Sequence, residues 1–403
     1  MSSRLKSFYL VSLFTPLIIL ICVLGHAETG DVQVVLIEPL PGADEPDLYQ
    51  LVGDPERVTL LESWLANESA ELALDLFAMA WDLTPQGLRG EPPVFYVALV
   101  AGGNHASVGL RFEDDEDPEA HARTSFMKLS EEDWAFRTTF LHETGHVILT
   151  LLSSGIEIPK REIAAIPHTT AALTDRGTAF DEGFAIHLET LAAHFASEDF
   201  LKDRYYHRRF RFGVPSLLGE YHHHAGDLLS FSQTIARYYE VRENNFSFSP
   251  GHKGPDYLRV QLEKSRDFAT LRNANQLLQR EDFHASFFFG LLMRGQQAPD
   301  PELVRERQQK MLAAMARVLT SGTTSAEDPL LLHFVEAYTD LFTAEAPEVI
   351  DVFLDYSHGV FVDRQAAELW REHYLGALRL DLAEGNNQKL EAARSRWREA
   401  VAE

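Results

Sequence analysis

The chain has a single cysteine, Cys22, and it lies inside an apolar N-terminal run. Once that run is set aside, nothing remains for disulfides, thiolate metal ligands or a thiol nucleophile. Positive charge is also scarce: 36 Lys and Arg stand against 61 Asp and Glu, a net charge of −25. Such a surface argues against nucleic acid and against anionic membranes as partners. It suits basic peptides, and it equally suits plain solubility. There is no internal repeat and no long low-complexity tract. The hydrophobic fraction of 45% and charged fraction of 24% are those of an ordinary globular protein, and 403 residues suffice for one large domain or two to three modest ones.

The first residues read as a targeting segment. Arg4 and Lys6 precede an apolar run from Phe8 to Leu24, and Gly25-His26-Ala27 places small residues at −3 and −1 of a cleavage site. Cleavage after Ala27 is expected, with Pro16 breaking the run; an uncleaved membrane anchor is the alternative. An exported chain without disulfides fits a bacterial periplasmic or secreted protein.

Histidine, by contrast, is plentiful, and two histidines carry the chemistry. His142-Glu143-Thr144-Gly145-His146 sets two imidazoles four residues apart, hence on one face of a helix, where they can take two corners of a zinc tetrahedron. Glu143 is then placed to act as a base on water at the metal. The flanking sequence supports a helix. Ser130 to Asp133 reads as a capping box, and Trp134, Thr138, Leu141, Gly145, Ile148 and Leu152 form an apolar stripe that stops at Ser153-Ser154-Gly155. A second helix is expected from a box at Thr178 to Asp181, with Phe180, Phe184, Leu188, Leu191 and Phe195 facing inward. On it, Glu182 precedes a glycine that would allow close approach of the partner helix and metal, and Glu189, two turns on, could orient a ligating imidazole. Two His and one Glu with an open fourth position make a catalytic arrangement, since structural zinc sites are closed by four protein ligands.

HETGH followed by DEGFAIHLE resembles the gluzincin zinc metallopeptidases, and most of all their aminopeptidase-related branch, over roughly residues 125–200. The resemblance implies that His142, His146 and Glu182 hold one zinc ion per chain, that Glu143 is the catalytic base, and that the substrate is a peptide or protein. Asp181 stands where the family usually has asparagine; a helix-capping role is the plain alternative. The interval from His146 to Glu182 is about twice the usual one, so residues 147–178 carry an insertion. The branch's Gly-x-Met-Glu-Asn amine anchor has no counterpart upstream, where Gly102-Gly103-Asn104 lacks the acid. In place of its Tyr-x-Lys-Gly stands Gly251-His252-Lys253-Gly254, which leaves His252, Tyr239 and Tyr257 as unranked candidates for the oxyanion donor. These gaps keep open a second reading, a secreted non-catalytic binding or assembly protein on a peptidase scaffold. A third is hydrolysis of another amide, such as cell-wall material.

The fold class expected is α+β: after the leader (1–27), a small β-rich lobe (28–130), then a mainly helical zincin-like catalytic region (131–300) and an α-helical C-terminal region (301–403). Strands are expected at 31–38, 94–100, 107–112 and 125–129, with a helical stretch over 56–80. One of the last two strands should form a sheet edge able to pair with an extended peptide. The aromatic stripe Phe283, Phe287, Phe288, Phe289 and Leu292 reads as core. The run His222-His223-His224 points three ways on a helix and reads as solvated, and His168 as a loop residue.

Overall fold

A computed structural model describes residues 26–29, 32–42, 48–100, 103–112, 121–130, 133–159, 174–195, 278–296, 300–320 and 325–356. The N-terminal apolar run, His168, His222 to His224, Tyr239, His252, Tyr257 and the C-terminal tail lie outside the described residues.

The expected α+β class holds: a mixed, curled sheet packs against helices. Among the described residues its seven strands are β1 (His26–Thr29), β2 (Val32–Pro39), β3 (Leu48–Leu51), β4 (Val94–Val100), β5 (His105–Val108), β6 (Arg111–Phe112) and β7 (Ser125–Ser130). The order is β5-β7-β4-β2-β3-β6, with β1 on the first half of β2. The pairs β2–β4, β4–β7 and β3–β6 are parallel, while β5 runs antiparallel to β7. The run expected as one strand from Ser107 to Phe112 is therefore two strands. Gly109, at φ 79°, breaks it in a conformation that a side chain disfavours, and the halves become the two opposite edges of the sheet. The strand expected over 125–129 is interior, not edge.

Period-two alternation explains the two faces. Val34, Leu36, Phe95, Val97, Leu99, Met127 and Leu129 point into the main core under the helices, while Val35, Ile37, Ala98 and Phe126 pack with Tyr49 and Leu110 on the other side. The helical stretch expected over 56–80 is two helices, α1 (Pro55–Leu65) and α2 (Glu68–Trp81). Asn67 breaks it: its side chain accepts from the Ala70 N–H, capping α2. A short turn, α3 (Pro85–Leu88), leads into β4.

The remaining helices are α4 (Asp133–Leu152), α5 (Arg176–Phe195), α6 (Glu281–Met293), α7 (Pro301–Thr320), α8 (Leu330–Leu341) and α9 (Ala346–Tyr356). Phe283, Phe287, Phe288, Phe289 and Leu292 of α6 are fully buried, the core role expected of that stripe. One apolar cluster runs from Val32 to Tyr356, so side chains from the β-rich stretch, the two motif helices and α7 to α9 share a single core.

Candidate metal centre

α4 and α5 carry the two motifs, and small residues set how closely they cross. A Cβ on Gly145 would lie 2.8 Å from the Ala185 Cα, so only glycine permits this approach. Ala185 is nearly one turn past Glu182, and the close crossing brings that carboxylate to the histidines. Gly183 also serves close approach, but against His284 Cβ of α6 and not toward the metal position. Helix α5 is thus held between α4 and α6. The buried side of α4 includes Leu141, Ile148 and Leu152, as its expected stripe requires; the side chains of Trp134 and Thr138 lie outside the described set.

His142 Nε2 lies 3.3 Å from His146 Nε2, and Glu182 Oε2 lies 3.3 Å from the first and 3.6 Å from the second. A tetrahedral zinc with donors at about 2.0–2.2 Å spaces those donors about 3.3–3.6 Å apart. The three atoms therefore form one face of such a tetrahedron, and His142, His146 and Glu182 could hold a metal ion. The other nitrogen of each ring meets a carboxylate: His146 Nδ1 lies 2.9 Å from Asp181 Oδ1, and His142 Nδ1 lies 3.7 Å from Glu189 Oε2. Such partners fix ring orientation and raise the basicity of the donor nitrogen.

The expected role of Glu189 beside an imidazole matches its position. The capping role for Asp181 does not. α5 begins earlier, and Asp175 caps it, accepting from the Thr178 N–H at 2.8 Å and the Thr178 hydroxyl at 2.7 Å. With its cap already supplied, the helix leaves Asp181 for His146.

Four carboxylates, from Glu143, Asp181, Glu182 and Glu189, surround two imidazoles in a largely buried site. Burial alone would lower both histidines. The hydrogen bonds and charges of Glu182 and Glu189 outweigh it at His142 and hold that ring well above the usual range, while Asp181 and Glu182 lift His146 to about 9. Burial would raise Glu182, yet its contacts with the two rings hold it well below the ordinary carboxylate range. The cluster is therefore short of positive charge, and a divalent cation would supply it while displacing the ring protons.

Glu143 is only 6% exposed, and burial raises its pKa. Its carboxylate accepts from the Ala106 backbone on β5. It faces a cleft of about 640 Å³ that contains all three candidate ligands, with the edge strand along one wall and the segment 157–159 along another. Sequence reasoning missed Asn104, whose Oδ1 accepts from the Ser130 N–H at 2.8 Å and ties the start of the edge strand to the end of β7. It also missed Glu157, which lies between the two motif helices and enters the cleft through tertiary structure alone.

No protein-family model, curated protein or solved structure matches this chain.

Proposed function

We propose that the chain is a zinc-dependent peptidase of gluzincin type, exported through its N-terminal segment and acting on peptides or proteins. One observation carries the reading: the three donor atoms of His142, His146 and Glu182 are mutually spaced like one face of a zinc tetrahedron, with a fourth direction toward an open cleft. A closed structural site would instead use a fourth protein ligand.

Zinc, when bound there, polarises a carbonyl and makes water a stronger acid. Glu143 takes the proton of the attacking water and returns it to the leaving amine. Burial raises the pKa of its carboxyl group, which strengthens it as a base. β5, an edge of the sheet among the described residues, offers backbone groups beyond the Ala106 group that Glu143 engages to an extended peptide, giving affinity that does not depend on side chains. Asp181 and Glu189 hold the two rings.

The competing reading is a secreted binding or assembly protein with a metal site that does not turn over. It is favoured by the absence of the branch's amine-anchor segment and by Gly251 at the place of its tyrosine. Glu143→Gln separates the two. We expect it to keep one zinc per chain by elemental analysis and to lose hydrolysis of mixed peptides by roughly 10²–10⁴-fold. Unchanged turnover would remove Glu143 from the mechanism, and a wild-type chain that holds zinc without cleaving any peptide would support the binder.

A further inference from the structure

The cleft contains one carboxylate that the proposed reaction does not use. Helix α4 ends at Leu152, and the chain then turns through two left-handed residues, Ser154 at φ 60° and Gly155 at φ 74°. Gly155 lies against the Arg123 carbonyl, where a Cβ would collide, and its N–H donates to Thr150 O at 2.9 Å. The Ser153 hydroxyl closes the turn by donating to Thr150 O and Ile156 O. Further on, Ile158 is buried and the Pro159 carbonyl packs against Gly177 at the start of α5. The segment 153–159 is thus fastened along its length, and it forms a fixed wall of the cleft.

Glu157 stands on that wall, exposed, with no hydrogen bond or ion pair among the described residues. The other lining acids are occupied: Glu182 with both imidazoles, Asp181 with His146, and Glu143 with the proton chemistry proposed above. No Lys or Arg lines the cleft among the described residues. His105, which Glu157 influences, is held below its ordinary pKa by burial and by Lys128. A carboxylate displayed without a partner in a concave site selects for a cation in whatever fills it.

We infer that Glu157 is a specificity residue that pairs with a positively charged group of the substrate, an ammonium or guanidinium, and so makes this cleft selective for cationic peptides. The inference rests on the peptidase reading for its substrate class, but binding tests it separately from turnover. The zinc-loaded full chain carrying Glu143→Gln would be titrated with matched peptides that hold Lys or norleucine at one position, each with a free or acetylated N-terminus. We expect cationic peptides to bind about fivefold more tightly than neutral ones at low salt, the size of a partly exposed ion pair. Adding Glu157→Gln should erase that difference, and Glu157→Lys should invert it. Loss of the preference on replacing Lys assigns the cation to a side chain; loss on acetylation assigns it to the α-amine. Equal affinities, absence of binding, or a preference that survives Glu157→Gln would overturn the inference. Charge-selective binding together with a wild-type chain that cleaves nothing would defeat the peptidase reading and leave the cation site standing.

Discussion

His142 and His146 differ from His187 and His284 in what surrounds them: the first two are half-buried beside the cleft, the second two fully buried. The first pair is ringed by carboxylates and is pushed up in pKa. The second pair lies one helix layer deeper, among Phe180, Phe184, Phe283 and Phe288, where burial dominates and drives both rings down to about 3. Among the described residues, each keeps a backbone carbonyl as its hydrogen-bond partner, Phe184 O for His187 and Leu278 O for His284. Burial by itself therefore makes a neutral core histidine. Acidic neighbours make a cluster that favours a cation, and two such rings with a shared carboxylate could hold a metal ion.

The strongest way to break this comparison is to truncate one ring from each pair. His146→Ala should abolish tight zinc binding while leaving a folded chain, because the lost side chain lines an open cleft. His187→Ala should do the reverse: keep zinc, and lower stability by about 2–4 kcal/mol through the cavity it leaves. Zinc content and urea midpoints of the two variants check both halves. Full zinc occupancy in His146→Ala would end the distinction.

One side of this contrast, the cleft pair, was legible along the chain, and the reasons are local. The four-residue spacing of His142 and His146 is helix geometry, and Glu182 sits on a segment whose apolar period is equally clear. The Phe-rich stripe of α6 is too continuous to be anything but core. What escaped had both local and distant causes. Asp181 looked like a cap because Asp175, the real one, lies just before the expected start of α5. The stretch over 56–80 reads as continuous because apolar residues recur on both sides of Asn67 with no Gly or Pro between them. The edge strand was narrowed to two choices, since strand order depends on pairing between distant segments that no local pattern records. Glu157 gave no signal at all, being one acidic residue among 61 Asp and Glu until the fold places it in the cleft.

A milder change tests whether the carboxylates matter as partners and not only as bulk. Asp181→Asn preserves shape and removes charge beside His146. We expect zinc affinity to fall about 10–100-fold in competition with a chelator, with the fold intact. No change would mean that ring orientation alone suffices.

The smallest effect, taken per ring and per pH unit, concerns the deep pair. Their folded pKa values lie below the ordinary value of 6.5, so the unfolded chain binds protons that the folded one excludes. The native state then has its full advantage above about pH 6.5 and loses it as the pH falls toward about 3, by up to about 1.4 kcal/mol per pH unit for each ring. Urea unfolding from pH 7 to pH 4 should show this slope, and His284→Gln should flatten it relative to the wild type. An identical slope in the variant would show that His284 does not exclude its proton as described.

The central claim is that three side chains from two helices converge on one divalent cation. Anomalous diffraction at the zinc edge from crystals grown with zinc tests it directly. The account predicts a single peak per chain, about 2.0–2.2 Å from His142 Nε2, His146 Nε2 and Glu182 Oε2. A zinc-loaded crystal with no peak at that point, or with Glu182 turned away from both rings, would contradict it.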